Sequence, residues 1–82
     1  MYVHIGKDVI VNSKNIIAIL DIESLEKKKS LKEVLQNLKI SDNIIDVSEE
    51  NKKSLIILQK DCNIIGYISN ISSNTIAKRA NK

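Results

Sequence analysis

Few side chains in this 82-residue chain can do chemistry, and most of those are cationic. Lys14 stands in a polar run, Asn12-Ser13-Lys14-Asn15. Lys52 and Lys53 are adjacent, and Lys78 and Arg79 form a second basic pair near the end. Lysines carried on loops at one end of a sheet can converge and pair with phosphate as point charges. Lys14, Lys52, Lys53, Lys78 and Arg79 are therefore the candidate contacts to a nucleic-acid backbone. Lys78 and Arg79 have an intramolecular structural role as the alternative. Lys27-Lys28-Lys29 is also basic, but Glu23, Glu26 and Glu33 flank it, and it reads as a solvated loop.

The charge distribution points the same way. Net charge is +3. Residues 1–50 carry seven Lys and nine acids, whereas residues 51–82 carry five Lys and Arg79 against Asp61 alone, so −2 faces +5. A basic half permits nucleic-acid contact without requiring it, and a lysine-rich solvated surface is the competing explanation. No aromatic platform for single-stranded bases is present, since Tyr67 stands alone. No helix carries Arg, Asn and Gln at its start in the manner of a base-reading helix. DNA recognition would then rest on backbone contacts and shape.

Catalytic parts are scarce. His4 and Cys62 are the only residues of their types. A cysteine nucleophile needs a base and an oxyanion site, and only His4 can supply the base. Cys62 reads as an ordinary free thiol, and His4 as a structural strand residue or a pH-sensitive interface residue. A disulfide framework and a His/Cys metal cluster are both excluded. Asp8, Asp21, Asp42 and Asp46 form no clustered carboxylate signature. Gly6-Lys7 lacks the preceding glycine of a phosphate loop, and Asp8 replaces the required Ser or Thr. The expectation is a non-enzyme without catalytic residues, metal or cofactor.

The elements that must position these residues are mostly strands. Hydrophobic residues make up 43% of the chain and aromatics 2%, so the core is aliphatic and rich in Ile. One small domain, 1–82, is expected. Tyr2–Ile5 and Val9–Val11 read as a hairpin around Gly6-Lys7-Asp8. Ile16–Ile22 is the strongest strand, its β-branched run suited to burial on both faces or to a subunit contact. Ser24–Ser30 reads as a charged loop. Ser30 and Glu33 form a capping box, and Leu31, Val34, Leu35 and Leu38 then make the stripe of an amphipathic helix. Ile44–Val47 is a short strand. Ser54–Gln59 and Ile64–Ser69 read as a hairpin with a four-residue loop containing Cys62. Ser72 or Ser73 caps a last short helix, 74–80.

The order β-β-β-α-β-β-β-α makes an α+β class with one small, mainly antiparallel sheet, a central amphipathic helix and a short C-terminal helix. One helix covers only part of one sheet face. The apolar surface left over on Ile-rich strands marks a partner, and a homo-oligomer follows. His4, Ile17 and Ile19, on the first and third strands, are the candidate interface residues. The longest unbroken apolar run is Ile16–Leu20, too short for the roughly 20 residues of a membrane span. With no signal-peptide pattern at Met1–Ile5, a cytoplasmic location is expected.

Two segments carry a resemblance. Met1-Tyr2-Val3-His4-Ile5-Gly6, Asp8, Val11, Ile16-Ile17-Ala18-Ile19 and Asp21 form the first; the run from Ser69 to Ala80, Ser-Asn-Ile-Ser-Ser-Asn-Thr-Ile-Ala-Lys-Arg-Ala, forms the second. Together they resemble the RemB/RemA type of small bacterial extracellular-matrix regulator; residues 23–50 match in pattern only. The resemblance implies a cytosolic DNA-binding transcriptional regulator of matrix and biofilm genes. It also implies a ring-shaped homo-oligomer built from a LytTR-like protomer. It implies DNA contacts at the loop before the long strand, where Lys14 stands, and at a basic pair at the turn before the next-to-last hairpin, where Lys52 and Lys53 stand. RemA-type proteins carry Arg at such places; Lys keeps the charge but loses the bidentate fork. Double-stranded DNA, copies of the chain and a related regulator protein are the expected partners, with no membrane. The alternative is an interaction or assembly module that joins a regulator without touching DNA.

Overall fold

The computed structural model describes residues 1–81. Its strands are β1 (Tyr2–Gly6), β2 (Val9–Asn12), β3 (Ile16–Asp21), β4 (Ile44–Asp46), β5 (Ser54–Lys60) and β6 (Asn63–Ser69). Its helices are α1 (Ile22–Glu26), α2 (Leu31–Asn37) and α3 (Ser73–Ala80). The content is α+β, but the strands form two sheets rather than one. β1 and β2 make a two-stranded antiparallel ribbon, and a four-stranded sheet has the order β3-β5-β6-β4. β4 joins that sheet parallel to β6, so the pairing is mixed at one edge.

The sheet buries both faces. Alternation along β5 sends Ile56 and Leu58 to one side and Leu55 and Ile57 to the other. Ile56 and Leu58 meet Val3, Ile5 and Val11 of the ribbon and Ile76 of α3. Leu55 and Ile57 meet Ile22, Ile40 and Ile68, with Leu31 and Leu35 of α2 packed against them. Each fully buried Ile or Leu stabilises the fold by about 1.5–3 kcal/mol. Coverage of both faces corrects the expectation of a single covering helix. Gly66 makes room on the second face: a Cβ there would lie 2.5 Å from Cδ1 of Ile44.

Three local readings change. Ile22 begins α1 instead of ending the strand, and α1 replaces part of the expected loop from Ser24 to Ser30. Asp21 causes this: its carboxylate accepts from the Ser24 amide at 3.2 Å and the Ser24 hydroxyl at 2.7 Å, capping a new helix. The β5–β6 loop has two residues, because Lys60 pairs with Asn63 across Asp61-Cys62. Asp61 takes the left-handed conformation that such a tight turn requires, at φ 58°. Ser30 and Ser72 cap their helices, accepting from the Glu33 and Thr75 amides, but the return bond from the Glu33 side chain that would complete the expected capping box does not form.

Candidate nucleic-acid interface

Lys52 and Lys53 sit where β5 begins, and main-chain bonds fix Lys53 there. The Lys53 amide donates to the Ser69 carbonyl at 2.9 Å, and the Lys53 carbonyl accepts from the Ile22 amide at 3.0 Å. This backbone is thus held between the end of β6 and the start of α1, while both lysine side chains stay exposed. The preceding turn is tied by Asp46. Its carboxylate accepts from the Ser48 amide at 2.8 Å and the Ser48 hydroxyl at 2.5 Å. Glu49, at φ 60°, then reverses the chain.

Asp46 also pairs with Lys52, Nζ to Oδ2, at 3.3 Å. Burial pushes the Asp46 carboxyl up, but the Ser48 hydrogen bonds and the Lys52 ammonium outweigh it and hold the group below its ordinary value. Both side chains are more than 40% exposed, at 46% and 41%, so the pair is a weak surface contact. Lys53 is the less encumbered of the two.

Buried serines support this end of the sheet, and the sequence reading missed them. The Ser69 hydroxyl donates to the Ile5 carbonyl at 2.5 Å and accepts from the Ile71 amide at 2.9 Å. The Ser54 hydroxyl donates to the Ile71 carbonyl at 2.8 Å. Together they lock β1, β5, β6 and the chain leading into α3 around Lys53. A serine at the first residue of one strand and at the last of its partner was the available signal. Among the described residues, no buried side-chain polar atom lacks a partner.

The remaining candidates are not gathered here. Lys14 lies in the 3₁₀ turn Ser13–Asn15, before β3. Ile16 pairs with Leu58, whereas Asp21 pairs with Ser54, so Lys14 and Lys53 occupy opposite ends of the sheet. At about 3.4 Å per residue, that separates them by roughly 15–20 Å. The loops therefore do not converge at one end. Lys78 and Arg79 occupy the last turn of α3, where cations suit the helix dipole. Arg79 Nη1 donates to the His4 carbonyl at 2.9 Å, which ties α3 to the outer edge of β1.

The three interface candidates differ in availability. Ile17, at the bulge in β3, is 53% exposed. Ile19 is half-buried and packs against the ribbon-side core. His4 is exposed, and its Nε2 lies within hydrogen-bond distance of the Lys7 carbonyl. Apolar surface does remain uncovered: Ile17, Leu38 and Ile64 all stand exposed, and they line one apolar cavity of about 400 Å³ with Ala18. Among the described residues, no group of three or more His, Cys, Asp and Glu is placed to hold a metal. No described helix is long and apolar enough to cross a membrane.

No curated protein gives a significant sequence match to the chain. A family model does match, over residues 2–80, and its description is extracellular matrix regulatory protein A-like. The match spans the ribbon, the four-stranded sheet and all three helices, so this chain belongs to the RemA-like family.

Proposed function

We propose that the chain is a cytoplasmic DNA-binding regulator of extracellular-matrix genes, and not an enzyme, that works as a homo-oligomeric ring through phosphate-backbone contacts. The observation that carries this reading is the Lys52–Lys53 pair, whose main chain is clamped at Lys53 while both side chains face solvent. A fixed pair of cations at a sheet end suits phosphate contacts that position DNA without reading bases. Lys14, roughly 15–20 Å away, lies far enough from the pair for one protomer to reach phosphates on both sides of a major groove about 12 Å wide.

One protomer offers a few phosphate contacts, which give weak and salt-sensitive binding. Repetition around a ring raises avidity by about 10²–10⁴ without new contacts. DNA that follows such a rim is bent, and its deformability helps select the site. Lys52→Glu with Lys53→Glu tests this. In a band-shift assay the double variant should lose DNA binding while its oligomeric mass stays unchanged. Unchanged affinity would overturn the assignment.

A second reading is favoured by the exposed apolar group Ile17, Leu38 and Ile64. In it the chain joins a regulator protein by packing and does not touch DNA. Salt separates the two readings, because packing-based association is nearly indifferent to ionic strength.

A further inference from the structure

The fold brings together the chain's two tyrosines. Tyr2 and Tyr67 are 65 positions apart in sequence and are the only aromatic residues besides His4. Both line one cleft beside the ribbon, over the β5–β6 face, together with Asn12, Asn15, Lys60 and Leu58. This overturns the reading of Tyr67 as an isolated ring. The cleft measures about 280 Å³, near the lower end of the roughly 300–1,000 Å³ typical of small-molecule sites.

Its chemistry is specific. Tyr67 is half-buried, while Tyr2 is 74% exposed and leaves its ring open to the cleft mouth. Asn12 Oδ1 already accepts from the Lys14 amide at 3.0 Å, which fixes the side chain and leaves its NH₂ to donate. Asn15 brings a second amide to the same wall. Lys60 supplies a cation, and buried Leu58 an apolar floor. Aromatic faces, amide edges and one cation match a flat heteroaromatic ring that carries an anionic group.

We propose that the cleft between Tyr2 and Tyr67 is a binding site for a free mononucleotide. The tyrosines contact the base face, the asparagines its polar edge, and Lys60 the phosphate. The volume holds one nucleotide and not a strand. The site lies at the far end of the sheet from Lys52 and Lys53 and beside Lys14, whose amide Asn12 holds.

The composition supplies the assay. With no Phe or Trp, the aromatic side-chain proton signals of the intact protein come from Tyr2, Tyr67 and His4 alone. AMP, GMP, CMP and UMP are titrated separately while these signals are followed by NMR. The expected result is a saturating shift of both tyrosine rings with at least one of the four, at a Kd below about 1 mM. Tyr2→Ala, at an exposed position, should weaken that binding by about tenfold or more. Lys60→Glu should weaken the nucleotide by about tenfold and leave the matching uncharged nucleoside unaffected. Shifts that fail to saturate with all four nucleotides would overturn the proposal, as would unchanged affinity in both variants. Saturation only by a single-stranded oligonucleotide would also overturn it, making the cleft a strand-binding surface.

Discussion

The Lys52 ammonium lies 3.3 Å from the Asp46 carboxylate, so one of the two adjacent lysines carries its own counter-ion within the fold. The same carboxylate holds the Ser48 turn. Asp46 therefore contributes to the fold and, under the proposed function, would compete with phosphate for Lys52.

Asp46→Asn should separate those two effects. Freed of its partner, Lys52 should bind phosphate better, and DNA affinity at low salt should rise a few-fold in a band-shift titration. Stability should fall by about 1 kcal/mol or less, given the exposure of the pair. The pH dependence has a definite sign. The carboxyl titrates lower in the folded chain than its unfolded value near 3.9. Its contribution is present above that value and is lost as pH falls through the lower folded value. Urea midpoints of parent and variant should differ at pH 7 and converge in strong acid.

Ser69→Ala removes a buried hydroxyl that links the Ile5 carbonyl to the Ile71 amide. Both groups then lose a partner in a dry setting. The expected cost is about 1–3 kcal/mol, read as a lower urea midpoint with an unchanged slope. A loss within error would mean that water replaces the hydroxyl.

Arg79→Ala and Lys78→Ala should behave differently. The Arg79 guanidinium holds the His4 carbonyl, so its loss should cost about 1–2 kcal/mol of stability in thermal unfolding. Lys78 is exposed, and its loss should be nearly neutral. If Arg79→Ala instead leaves stability intact and reduces the salt slope of DNA binding, Arg79 is a DNA contact and not a tie between α3 and β1.

Ile17→Asp and Ile19→Asp separate interface from core on one strand. Ile17 is exposed at the bulge, so its variant should fold and, if β3 is an assembly surface, become smaller by light scattering. Ile19 packs on the ribbon-side core, so a charge there should unfold the chain as judged by circular dichroism. A folded Ile19→Asp oligomer of unchanged mass would contradict this division.

What the sequence disclosed followed the range of the interactions. Ser30 and Ser72 announced their helices because a cap acts within one turn. The Asp21–Ser24 cap has the same local character, but the β-branched run up to Ile22 concealed it. Placement across the sheet was not legible. Lys14 and Lys53 both precede strands, and only the antiparallel register of β3 on β5 sends them to opposite ends. The meeting of Tyr2 with Tyr67 likewise depends on how the ribbon lies on the sheet, which no local pattern encodes. The parallel seating of β4 on β6 is non-local in the same way.

Light scattering on a sizing column, with and without a double-stranded DNA fragment at low and high salt, tests the regulator reading most directly. A ring that binds phosphates through Lys14, Lys52 and Lys53 predicts a multi-subunit mass that increases with DNA at low salt and reverts at high salt. A monomer, or an oligomer whose mass ignores DNA at both salts, would contradict it.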